Sequence, residues 1–170
     1  IRRVLRQDSV DVKAKDGMDM ALCTIDINKM EFQYSGAHNP LYYVTKHELI
    51  DIPETKTFKI HEFDSDYRLL EVKGNKYGIG GEVMGKERKY ESHSLKFHTG
   101  DSIYLLSDGY QDQFGGPRDK KLSPRKLREI LIQNQNTSME DLKNTLDEEI
   151  EKWKADSEQT DDILVIGIKF

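Results

Sequence analysis

Apolar residues recur along the chain in short runs separated by polar and glycine-bearing stretches, the pattern of strands joined by turns. The turn pair Asp16-Gly17 introduces an apolar run from Met18 to Ile27, and Asn28-Lys29 separates it from Met30 to Tyr34. Residues 19–35 therefore read as a hairpin. Leu41 to Thr45 and Glu48 to Ile52 read as a second hairpin, turning at Lys46-His47 and ended by Pro53. Residues 54–76 are polar and mixed, and Leu69, Leu70 and Val72 mark one short strand among them. Gly78, Gly80, Gly81 and Gly85 predict a flexible loop over 77–88. A phosphate-cradling loop is the sharper alternative, but it needs a helix after it. Tyr90 to Phe97 instead alternates as an edge-like strand. Ser102 to Leu106 is continuously apolar and predicts a central strand covered on both faces.

Two helices follow. Ser123-Pro124 supplies an N-cap and a first-turn proline, with Leu127, Ile130 and Leu131 as the packing stripe. Ser138 caps the second, with Asp141 near a capping-box position and Leu142, Leu146, Ile150 and Trp153 as its stripe. Asp161-Asp162 then precedes a last strand, Ile163 to Phe170. The order of elements predicts an α+β fold over a single domain, 1–170, with largely antiparallel sheet and helices packed on a face. There is no internal repeat and no low-complexity linker. At the other end, Ile1 to Asp8 reads as the last turns of a helix, with Val4 and Leu5 packing and Arg2, Arg3 and Arg6 facing water. A start inside a helix without an initiator Met is expected to be a cut.

Composition narrows the classes. The 170 residues suffice for one core, and 34% charged residues imply a heavily charged surface. The net charge of −5 disfavours a nucleic-acid partner, which calls for a basic face. No run approaches the ~20 apolar residues of a membrane span, so no membrane contact is expected of this segment. Cys23 is the one cysteine, which excludes an internal disulfide and fits a reducing, cytoplasmic setting. Its apolar surroundings favour a buried small hydrophobe over a nucleophile.

Two acids stand out by position. Asp108 follows an apolar strand and precedes Gly109; Asp161 directly precedes another apolar strand. Strand ends hold carboxylates rigidly at a sheet rim, where hard cations such as Mg²⁺ or Mn²⁺ are bound. Convergent carboxylates repel, and a divalent cation relieves the repulsion. The bland alternative is a turn aspartate and a loop cap. Asp112 lies four residues after Asp108 and faces the same way if the segment turns helically. Asp8, Asp11 and Asp16 form an acidic scatter. The five histidines, His38, His47, His61, His93 and His98, show no close metal-ligand spacing, so no zinc site is expected.

Four segments in order carry a resemblance: Asp16 to Leu22; Ser35-Gly36-Ala37-His38-Asn39-Pro40; Gly100-Asp101 followed by Leu105-Leu106-Ser107-Asp108-Gly109; and Gln159-Thr160-Asp161-Asp162 followed by Val165-Ile166-Gly167. Order and spacing resemble the metal-dependent PPM (protein phosphatase 2C) superfamily, in its bacterial branch named for the sporulation stage II protein E. Residues 107–116 are similar to a segment of phosphatase domains attached to bacterial sensor modules. The resemblance implies a β-sandwich flanked by helices, here truncated at its N-terminal side. It implies hydrolysis of phosphoserine and phosphothreonine by a water held between two Mn²⁺ or Mg²⁺ ions, with no protein nucleophile. Asp108 and Asp161 match two of the family's metal ligands. Asp16 and Asp112 fall where ligands of a third, weaker metal are expected. Implied partners are a phosphorylated protein, in this branch often an anti-sigma-factor antagonist, and an upstream sensor or regulatory domain.

The chain departs from the family in one respect. The motif of an Asp followed by Gly-His-Gly or Gly-Asp-Gly, which bridges both metals, has no counterpart in these residues. The 170 residues alone are therefore expected to bind the metal pair poorly, to be inactive or nearly so, and to self-associate, as a homodimer for example, through an exposed apolar edge. A pseudophosphatase, using the same fold as a regulated binding module, is a competing reading, and an unrelated interaction domain is another. His38 sits in an expected tight corner over Ser35 to Pro40, where a structural role is favoured over a phosphate contact. Arg118, Lys120 and Lys121 read as a solvated basic loop and Trp153 as core.

Overall fold

A computed structural model describes residues 17–50, 52–80 and 88–170. The predicted helix at Ile1 to Asp8, Asp16, and the glycines 81 and 85 lie outside the described residues. The chain divides into two compact units, Ile1–Leu41 with Lys73–Phe97, and Tyr42–Val72 with His98–Phe170.

In the first unit, β1 (Gly17–Met18) pairs antiparallel with β7 (Ile79–Gly80), so the predicted loop over 77–88 contains a short strand. β2 (Met20–Asp26), β3 (Glu31–Ala37) and β8 (His93–Lys96) form a three-stranded antiparallel sheet in the order β2-β3-β8. The β2–β3 hairpin turns where predicted, with Asp26 opposite Glu31 and Met30 at φ 51°. Phe32 and Tyr34 point from β3 into the interior, as period-2 alternation requires. The Tyr34 hydroxyl donates to the Asn39 carbonyl at 2.5 Å and His38 adopts φ 61°, so the segment after β3 is a tight corner. The His38 N–H donates to the Asn75 carbonyl at 2.8 Å, a structural contact. Cys23 on β2 is half-buried, and burial pushes its thiol up to about 11, which leaves it protonated and unreactive at neutral pH.

The second unit is built on a five-stranded sheet. Its strands are β4 (Leu41–Thr45), β5 (Phe58–His61), β6 (Arg68–Val72), β9 (Ser102–Leu106) and β12 (Val165–Lys169), in the order β12-β9-β4-β6-β5. The expected hairpin at Lys46-His47 does not form: residues 48–50 are not strand, and β4 lies between β9 and β6. All five residues of β4 are buried, so it needs apolar neighbours on both edges. Leu69, Leu70 and Val72 of β6 supply one, whereas Ile50 stays 70% exposed. The Thr45 hydroxyl accepts the His47 N–H at 3.0 Å and turns the chain away. β5, an edge strand in a stretch that reads as polar, was not anticipated. β9 is the covered central strand its sequence predicts.

Helices α1 (Gly109–Asp112), α2 (Pro124–Gln133) and α3 (Met139–Lys154) complete this unit, with a small hairpin of β10 (Phe114–Gly115) and β11 (Lys120–Lys121) in the predicted loop. The Ser123 hydroxyl accepts the Lys126 N–H at 3.5 Å and the Ser138 hydroxyl accepts the Asp141 N–H at 3.0 Å. Ser138 also donates to the Asp141 carboxylate at 2.7 Å. Leu127, Ile130, Leu131, Leu142, Leu146 and Ile150 pack with Tyr42, Val44, Leu69, Tyr104 and Leu106 into one core. Trp153 is partly buried against this core. Among the described residues no helix is long and apolar enough to cross a membrane.

Candidate metal centre

The antiparallel ladder of β9 and β12 decides where the two aspartates fall. Leu106 stands opposite Val165, and the pairing continues past both strand ends. The Ser107 N–H donates to the Leu164 carbonyl at 3.0 Å. The Ser107 hydroxyl accepts the Leu164 N–H at 3.0 Å and donates to the Asp162 carbonyl at 2.8 Å. Beyond this stitch lie Asp108-Gly109 on one strand and Asp161-Asp162 on the other. A β-carbon on Gly109 would stand 2.3 Å from the Asp162 carbonyl oxygen and 3.3 Å from that of Asp161. Glycine is thus required for the two backbones to meet. Asp108 and Asp161 sit at the same end of adjacent strands, and both are exposed.

Their carboxylates are differently committed. Asp108 occupies the N-cap position of α1, yet its side chain makes no capping bond. One Asp161 oxygen accepts the Asp162 N–H at 2.7 Å. Asp112 follows one turn after Asp108, its N–H donating to the Asp108 carbonyl at 3.0 Å. Its carboxylate, however, is paired with the Lys121 ammonium at 2.5 Å. Asp108 and Asp161 offer oxygen donors of the kind a hard divalent cation takes, and the Asp108 side chain makes no capping bond. Among the described residues neither belongs to a group of three or more acid, histidine or cysteine ligand atoms within 4.8 Å of one another. Asp16 lies outside the described residues.

One positioning residue escaped the sequence reading. Gln113, fully buried, donates from its amide to the Glu158 carbonyl at 2.9 Å and accepts the Thr160 N–H at 3.1 Å. It clips the segment after Asp108 to the segment before Asp161. Trp153 supports the clip, its indole N–H donating to the Gln113 and Lys120 carbonyls at 3.1 and 3.2 Å. The buried Tyr110 hydroxyl donates to the Leu146 carbonyl at 2.8 Å and fixes α1 on α3. Between Asp112 and Phe114 a glutamine looks like any loop residue; its matched amide functions are the signal, and they are legible only once both segments are placed. A cleft of about 940 Å³ between the β5–β6 connection and α2 contains none of these acids.

Known structures share the fold. The SiaA-PP2C domain of Pseudomonas aeruginosa superposes with a TM-score of 0.75 at 19% identity, over 99% of this chain and 57% of that one. The phosphatase domain of the cell fate determinant SpoIIE from Bacillus subtilis, presoaked in Mn, gives a TM-score of 0.52 at 12% identity, over 89% of this chain and 56% of that one. The same phosphatase domain with a fragment of its regulatory domain gives 0.57 at 14% identity, over 89% of this chain and 37% of that one. The chain thus spans less than two thirds of the length of these structures. At such identities the likeness establishes the α+β protein phosphatase 2C fold. No curated protein matches the sequence. The model of the stage II sporulation protein E (SpoIIE) family matches residues 2–170, and the chain belongs to that family.

Proposed function

We propose that these residues form part of a metal-dependent phosphatase domain acting on phosphoserine or phosphothreonine of a cytoplasmic bacterial signalling protein, of the anti-sigma-factor antagonist class. The observation that carries this reading is the meeting of Asp108 and Asp161 at adjoining strand tips, with Gly109 seated on Asp162. When bound, a Mn²⁺ or Mg²⁺ pair supplies the charge that activates water and neutralises the phosphoryl oxygens. The chain's own part is to hold the ligands: Asp108 and Asp161 bind, Ser107 and Gln113 fix their spacing, and Lys121 neutralises Asp112. The absence of a Gly-His-Gly or Gly-Asp-Gly bridging motif from these residues implies weak binding of the pair by the 170 residues alone. A SpoIIE structure that includes a regulatory fragment supports control by a regulatory domain. Exposed Leu164 and Ile166, beside and on edge strand β12, support self-association.

A pseudophosphatase used as a binding module is the second reading, and the Asp112–Lys121 pair favours it, because a lysine takes a carboxylate that a third metal would need. Mn²⁺-dependent phosphate release from a phosphoserine peptide by the natural full-length protein separates the two. The phosphatase reading expects turnover that falls more than about 100-fold in Asp108→Asn, beyond the usual effect of losing an outer-shell partner. Absent turnover, or turnover indifferent to that substitution, contradicts it.

A further inference from the structure

The end of β9 opposite Asp108 carries another group of metal-capable side chains, which the sequence spacing of the histidines does not disclose. His47, His98 and Asp101 bring one ligand atom each to within 4.8 Å of one another. His98 and Asp101 stand three residues apart in one turn, and His47 joins them because β4 and β9 are neighbours, His47 lying just after one and Asp101 just before the other. Seven residues of near-extended chain separate Asp101 from Asp108, roughly 20 Å, so this group is no part of the first centre.

Asp101 is the fixed member. Its side chain is 3% exposed. Its Oδ2 accepts the Tyr43 hydroxyl at 2.5 Å and the His98 backbone N–H at 2.8 Å. A buried carboxylate calls for a cationic partner. The His98 Nδ1 lies 3.4 Å from its Oδ2. The His47 and His98 rings stack at 3.9 Å with a tilt of 31°, both exposed on the solvent side of Asp101.

We propose that His47, His98 and Asp101 form a binding site for Zn²⁺ or a similar imidazole-preferring transition metal, separate from the Asp108–Asp161 centre. Two imidazoles and one carboxylate are a set that Zn²⁺ accepts, with water in the remaining position. Bonds of about 2.0–2.1 Å place tetrahedral ligand atoms roughly 3.4 Å apart. Closure from the observed spacing takes about an ångström, which exposed imidazoles supply by rotating about their side-chain bonds. Tyr43 is the outer-shell donor that orients the ligating carboxylate.

Calorimetric titration of the 170-residue protein with Zn²⁺ near neutral pH tests the site. His47 and His98 are exposed, so H47A/H98A leaves the core intact; Asp101 is left in place because it anchors Tyr43. About one equivalent binds the wild type and D108N alike, and H47A/H98A weakens it at least ~10-fold. Co²⁺ gives a visible absorption band in the first two proteins and loses it in the third. No saturable binding by the wild type, equal affinity in H47A/H98A, or loss in D108N instead overturns the proposal.

Discussion

Gly109 and Asp162 meet backbone to backbone: a β-carbon built on Gly109 falls 2.3 Å from the Asp162 carbonyl oxygen, closer than real β-carbons come to anything. The contact brings the Asp108 and Asp161 turns together, so the proposed metal binding should depend on it. Gly109→Ala must push the two tips apart. The expected cost is about 1–3 kcal/mol, that of overpacking a close contact. Urea unfolding should show a lower midpoint, and Mn²⁺ affinity should fall in the same variant. Unchanged Mn²⁺ affinity would separate the contact from the site.

Gln113 makes a second prediction. Gln113→Ala removes the donor to Glu158 and the acceptor from Thr160 and leaves both backbone groups without their buried partner. The expected loss is ~1–3 kcal/mol. Because the clip joins the Asp108 and Asp161 segments, the variant should also lose Mn²⁺ affinity, a readout that a remote core truncation such as Leu127→Ala leaves unchanged once folded.

His61 gives the fold a pH dependence. Its ring nitrogen lies 2.7 Å from the Glu71 carboxylate, a distance that suggests an ion pair. Burial acts more strongly, however, and with nearby Arg128 it holds the imidazole below its ordinary 6.5 despite the Glu71 hydrogen bond. The contact at neutral pH is therefore a hydrogen bond that the neutral His61 N–H donates to the Glu71 carboxylate. Below 6.5 the unfolded chain takes up a proton that the folded one resists, so this contribution is full above that value and is lost as pH falls. Unfolding free energies at about pH 7.5 and about pH 5.5 should differ less in His61→Gln than in the wild type. An equal pH dependence in the two proteins would count against a depressed His61.

The elements that frame the candidate site were legible because their signals are local. β9 is an apolar run closed by Ser107-Asp108-Gly109, β12 is one opened by Asp161-Asp162, and α2 and α3 begin at capping serines. What was hidden depends on pairing between distant segments. β4 gives no hint in sequence that β6 and β9, not residues 48–50, are its neighbours. Gln113 is a positioning residue only because residues 158–160 return beside it. His98 and Asp101 lie three residues apart, but His47 joins them only through the pairing of β4 with β9, which no local signal marks. Asp112 illustrates the reverse case: its helical spacing from Asp108 was correctly read, but the lysine that engages it comes from β11, a strand the sequence presented as loop.

Mn²⁺-induced line broadening in amide NMR spectra tests whether Asp108 and Asp161 jointly hold a divalent cation, even where binding is weak. Substoichiometric Mn²⁺ should erase the signals of Gly109, Tyr110, Asp161 and Asp162 first, and Asp108→Asn or Asp161→Asn should restore them. Retention of those four signals while others broaden, or broadening that survives both substitutions, would contradict the account.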